Sequence, residues 1–97
     1  VRGFADSDEQ EAIQAQLASA MASADYAAKK CPNLQIDQAK IKSLTERSGK
    51  SARQLRASDD YAEQRDVIVS MEKSPQAALI CELLPMAHNG YVAGIIK

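Results

Sequence analysis

The run Ser74-Pro75-Gln76-Ala77-Ala78-Leu79-Ile80-Cys81-Glu82-Leu83-Leu84-Pro85 is the most apolar stretch of the chain and carries the second of its two cysteines. Ser74 has the side chain of a helix N-cap, and Pro75 suits the first helical position, where a missing N–H costs nothing. Ala77, Ile80, Cys81 and Leu84 then fall at i, i+3, i+4 and i+7, one face of a helix. Leu79 and Leu83 widen that face, and a helix apolar on most sides has to be buried on most sides. The expectation is that the other helices pack around this one and that Cys81 bonds to Cys31.

Ninety-seven residues make one domain, here residues 1–97. A chain of this size buries a modest fraction of its surface, so a covalent staple matters to it. Alanine supplies 17 of the 44 hydrophobic residues, which favours helices that approach one another closely. With no Trp and one Phe, neither an aromatic-lined ligand pocket nor a base-stacking surface is expected. No window approaches the roughly 18 to 20 apolar residues of a membrane span.

Two cysteines in a small chain form one disulfide in an oxidising compartment and stay as thiols in a reducing one. Their number, the chain's size and a first residue other than methionine lead to the expectation of an exported protein, periplasmic or secreted. It would be processed after a signal peptide not present in the chain, since Val1 to Asp8 lacks the apolar run such a segment needs.

In chain order, residues 1–6 read as a loose lead-in. Ser7 with Gln10 has capping-box spacing, and Ile13, Leu17, Ala20, Met21, Ala24, Ala28 and Cys31 keep a three-four spacing up to Lys29-Lys30. This predicts a helix over 7–30. Pro32-Asn33 breaks it, Leu34-Gln35-Ile36 is extended, and Asp37 caps a second helix over 38–48 that stops at Gly49. Ser51 with Gln54 opens a short helical turn over 52–56 carrying Leu55. Ser58-Asp59-Asp60 starts a helix running to about Lys73, with Tyr61, Arg65, Ile68 and Met71 or Glu72 marking its period. Pro85 predicts a kink or restart in the last helix, and Asn89-Gly90 a stop. The apolar tail 91–97 either folds back on the bundle or offers itself to a partner. The fold class is all-α: a small single-domain bundle of about four helices plus a short helical turn, with one disulfide.

Little in the chain has the spacing of catalytic or metal chemistry. Cys31 at a helix end, where the dipole disfavours a thiolate, and Cys81 with 49 residues between suit a structural disulfide better than a redox pair. His88, the only histidine, stands seven residues from Cys81, a dyad only if that thiol is free. Otherwise it suits a helix C-terminus. No His-x-x-x-His or Cys-x-x-Cys spacing points to zinc. Met21, Met71 and Met86 read as core filler. Asp59, Asp60, Glu63 and Asp66 are the acids a helix start prefers, outside any calcium-loop pattern. No catalytic residue, metal or cofactor is assigned.

Charge is segregated. Residues 1–25 sum to −4, residues 29–56 to +6 and residues 57–97 to −3, giving the net −1 of the chain. The basic middle either pairs with the acidic blocks across the bundle or forms a face for an anionic partner. On the second reading Lys40, Lys42, Arg47, Lys50, Arg53 and Arg56 are the partner-binding residues. The sequence pI of about 5.8 and the absence of interleaved aromatics disfavour nucleic acid. The expected partner is a protein, with a second copy of the chain as one candidate.

One helical domain of this length, with Cys31 and Cys81 fifty positions apart, is similar in outline to the HdeA-type acid chaperones of the bacterial periplasm. The resemblance implies a dimer that opens at low pH and exposes apolar surface to unfolding clients, and thirteen acids that neutralise on acidification accord with it. The leading expectation is a small exported, non-catalytic interaction protein with a basic central face. An acid-stress chaperone is one alternative. The other is an inhibitor or immunity-type protein that masks an acidic partner surface.

Overall fold

The structure is a computed structural model that describes residues 2–97, with side chains from residue 8 onward. It is all-α. Among the described residues five α-helices follow one another: α1 (Arg2–Lys30), α2 (Gln38–Ser48), α3 (Ala52–Arg56), α4 (Asp59–Glu72) and α5 (Ile80–Leu83). Single 3-10 turns at Ala77–Leu79, Leu84–Met86 and Gly90–Val92 complete it.

The organising element is α1, not the apolar run at 75–85. A helix of 29 residues is about 44 Å long, close to the 48 Å long axis of the whole molecule. Along one full turn, Ala20, Met21, Ala22, Ser23 and Ala24 are all buried, so neighbours surround it. Helices α2, α3, α4 and the Gly90–Val92 turn each pack on it. Alanine explains both the arrangement and the misreading. Its methyl group adds little hydrophobicity to a sequence window, yet it lets helices approach from several directions at once. Ile13, Leu17 and Met21 supply the larger volumes and meet Leu44, Leu55 and Ile95 in the main cluster.

The segment 75–85 does not form one buried helix. Ala77, Ala78 and Leu79 are exposed, and only Ile80 and Leu84 are buried. Ser74 Oγ accepts from the Gln76 amide at 3.1 Å, closing a local turn rather than starting a helix. Between the two prolines only Ile80–Leu83 is α-helical, preceded by the 3-10 turn at Ala77–Leu79, and Pro85 cannot donate the amide that would carry the helix on. Met86 is 68 % exposed, so of the three methionines it is not core filler. The run does contribute a second, smaller cluster, where Ile80 and Leu84 pack with Ala27, Cys31 and Ile68.

Most boundaries in the middle of the chain follow the caps. Asp37 Oδ1 accepts from the Lys40 amide at 3.0 Å, Ser51 and Gln54 form a reciprocal capping box, and Ser58 Oγ accepts from the Tyr61 amide at 3.3 Å. Gly49 ends α2 in the left-handed region at φ 76°. At the other end α1 begins at Arg2 rather than Ser7, so the expected loose lead-in is helical from Arg2. Arg2, Phe4 and Ala5 tolerate helix, and a capping signal does not stop a helix extending past it. The Ser7 side chain lies outside the described residues.

The C-terminal tail folds back. Val92, Ile95 and Ile96 are buried, and Ile36 pairs with Ile96 in an isolated antiparallel bridge. The Gln35 amide donates to the Lys97 carbonyl and the Lys97 amide to the Gln35 carbonyl, both at 2.9 Å. The disulfide joins Cys31, just past α1, to Cys81 in α5, with their Cα atoms 5.6 Å apart.

Candidate functional site

The six cations of the basic middle do not form one free face. Arg47 Nη2 donates to Glu9 Oε1 at 3.0 Å, and its guanidinium lies 5.8 Å from the centre of the Tyr91 ring. Arg56 makes two hydrogen bonds to Asp25, at 3.0 and 3.1 Å. Lys40 Nζ donates to the Ala93 carbonyl. Arg47, Arg56 and Lys40 thus join the basic segment to α1 and the tail. Lys42, Lys50 and Arg53 are exposed and take part in no ion pair among the described residues. Lys50 and Arg53 flank the cap of α3, while Lys42 stands on the outer side of α2, away from Leu44 and Ser48.

Asp25 is the most heavily committed acid. Burial pushes its pKa up, but hydrogen bonds from Arg56 and Tyr61, with the charges of Arg56 and Lys29, outweigh that and hold it below the ordinary carboxylate value. Tyr61 donates to Asp25 Oδ2 at 2.7 Å. Burial and that bond together raise the Tyr61 phenol above its usual value.

A second polar constellation lies where α1, α4 and the C-terminal segment meet. His88 Nε2 is 2.7 Å from Ser23 Oγ, which also accepts from Gln64 Nε2 at 3.0 Å. Burial lowers the His88 pKa. A hollow of about 300 Å³ opens beside the ring, lined by Ser19, Asp60 and Asn89 among others. A serine bonded to a histidine has the composition of a nucleophile and its base. Ser23, however, is 0 % exposed, so no substrate carbonyl reaches its oxygen. The pair joins three segments through one buried hydroxyl. Nor does His88 share a helix face with Cys81, because α5 ends at Leu83 and His88 lies past the next turn. The Cys81 sulfur is bonded to Cys31 and supplies no thiolate. Among the described residues no group of three His, Cys, Asp or Glu is placed to hold a metal ion.

Sequence reading passed over the residues that make these junctions. Gln14 Nε2 donates to the Ser48 carbonyl at 2.7 Å, and Gln10 Nε2 to the Arg47 carbonyl at 3.4 Å. Both satisfy the end of α2. Gln16 Oε1 accepts from the Tyr91 amide at 2.9 Å. Gly90 has φ +70°, in the left-handed region that favours glycine, and a Cβ there would lie 2.8 Å from that same Gln16 oxygen and push it off the Tyr91 amide. The available signal was the set of amides and hydroxyls at Gln10, Gln14, Gln16 and Ser23 within an otherwise alanine-rich helix.

No described helix is long and apolar enough to cross a membrane. Neither a family model, nor a curated protein, nor a solved structure matches this chain.

Proposed function

We propose that this chain is a small exported, non-catalytic binding protein that meets an acidic protein surface through Lys42, Lys50 and Arg53. One observation carries the reading: these cations stay exposed and take part in no ion pair among the described residues, while the neighbouring Arg47 and Arg56 are used to hold the fold. Cations left in water on a rigid, cross-linked support steer an anionic partner and fix its orientation. The disulfide accords with an oxidising compartment. The test compares the wild-type chain with K42E/K50E/R53E as bait in affinity capture, after circular dichroism shows that both keep the same helical signal. The expected result is a set of acidic proteins held by wild type, released by salt and lost from the variant. The same proteins held equally by both baits would refute it.

A second reading, the acid-stress chaperone, is favoured by the His88 junction. Burial disfavours a charge on the ring, so acid would loosen the C-terminal segment that carries the buried Val92 and Ile95. Its test is suppression of client aggregation between about pH 2 and pH 7, and no suppression anywhere in that range would eliminate it.

A further inference from the structure

A groove of about 250 Å³ runs between α1 and α4, on a different part of the surface from Lys42 and Lys50. Its walls are two regular helix faces. Ala22, Asp25, Tyr26 and Lys29 fall at i, i+3, i+4 and i+7 on α1. Tyr61, Arg65, Ile68 and Val69 face them from α4. The floor is apolar and sealed, with Ala22 4 % and Ile68 2 % exposed. Val69 at the lip is 40 % exposed, a branched apolar side chain left in water.

The two aromatic rings of the groove are held in place. Tyr61 donates to Asp25, and Tyr26 donates to Glu72 Oε2 at 3.2 Å. Asp25 is already covered by Arg56 and Tyr61. Lys29 on one wall and Arg65 on the other take part in no ion pair among the described residues. Counting Arg56, Lys29 and Arg65 against Asp25 and Glu72, the groove is left with one net positive charge.

From these features we infer that the groove binds one flat or branched apolar group bearing a carboxylate. The apolar part rests on Ala22 and Ile68 between the tyrosine rings, and the carboxylate lies between Lys29 and Arg65. The volume sets the size. It falls below the roughly 300–1,000 Å³ of ordinary small-molecule pockets, so it admits a single aromatic or branched unit. A free aromatic acid and the C-terminal residue of a peptide share this chemistry.

The test is an NMR titration of the oxidised, nitrogen-15-labelled chain with 3-phenylpropionate, with its uncharged amide, and with the peptide Ala-Ala-Ala-Phe as free acid. The expected result is saturable shifts confined to the amides of residues 22–29 and 61–69. The amide should bind about tenfold more weakly, and K29Q and R65Q should each weaken the acid about three- to fivefold. K42Q, outside the groove, should leave the affinity unchanged. Binding of the peptide at least as tight as that of the acid would support the inference with a chain terminus as the natural occupant, whereas binding of the acid alone would support it with a free metabolite. Shifts that do not saturate, equal binding of acid and amide, or indifference to both K29Q and R65Q would overturn it. Both substitutions are at exposed positions, and the unligated spectrum reports whether each variant is folded.

Discussion

Ser23 Oγ lies 2.7 Å from His88 Nε2 and accepts the Gln64 amide from the other side at 3.0 Å. Ser23 Oγ carries one proton and two lone pairs, so beside the Gln64 bond it either donates to a bare ring nitrogen or accepts from a ring N–H, according to the tautomer. Protonating the ring would place a charge on a part-buried imidazole, and burial disfavours that charge.

The resulting pH dependence has a definite sign. Burial lowers the His88 pKa below its ordinary 6.5, so the unfolded chain binds the proton more readily than the folded one. Stability is therefore full above about pH 6.5 and falls as the pH drops through that value toward the folded pKa. Urea midpoints measured from about pH 7 to about pH 5, above the range where ordinary carboxylates titrate, should decline for wild type. H88Q keeps a polar group near Ser23 without a titrating ring and should be flat over that interval. A parallel decline in H88Q would assign the effect elsewhere.

Asp25 produces a separate dependence at lower pH. Its folded pKa is depressed, so its contribution is present above the unfolded value of 3.8 and is lost as the pH falls below it. D25N keeps the shape but removes the charge that Arg56 and Tyr61 address. With the Asp25 and Arg56 side chains 35 % and 48 % exposed, screening limits the loss to about 1 kcal/mol at neutral pH. The difference between D25N and wild type in urea midpoint should shrink as the pH falls below 3.8 and the Asp25 carboxylate takes up its proton. A difference that persisted there would mean the substitution damages packing instead.

The disulfide closes a loop of 49 intervening residues, which in the chain-entropy account contributes roughly 4 kcal/mol. The net stability of a small domain is about 5–15 kcal/mol, so reduction should remove a large part of it. Intact mass of unreduced protein should lie two units below the reduced chain, with no thiols titrated after denaturation. The urea midpoint of C31S/C81S should fall well below that of wild type. Two titratable thiols would remove the cross-link and, with it, the argument for an oxidising compartment.

Local signals were readable from the sequence because local chemistry makes them. Asp37, Gly49, Ser51 and Ser58 mark their boundaries through bonds to backbone within three residues or, for Gly49, through one dihedral angle. Cys31 and Cys81 were readable as a pair because there were no other cysteines to choose from. What surrounds what was not readable. Hydrophobicity singled out Leu79 and its neighbours, but centrality went to a helix whose alanines score low and take up little space. The division of the basic residues was equally hidden, because it depends on Glu9 and Asp25, each more than 30 positions away in sequence. The α1–α4 groove depends on the register of two helices, which no window of sequence contains.

Leu79 and Ile95 put that contrast to a direct test. A hydropathy reading places Leu79 in the core and leaves Ile95 in a tail with two possible fates. In the fold Leu79 is 45 % exposed and Ile95 is 0 % exposed, so truncating the first removes little buried surface and truncating the second opens a cavity. L79A should cost less than about 1 kcal/mol, and I95A about 2–5 kcal/mol. The backbone strengthens the expectation for Ile95, since its carbonyl accepts from the Asp37 amide at 2.8 Å. Asp37 caps α2, so a displaced tail also loosens the start of that helix. Hydrogen exchange should show the amides that follow Asp37 losing protection in I95A and keeping it in L79A. Equal urea midpoints for the two variants, or a larger loss from L79A, would return the organising role to the segment between Pro75 and Pro85.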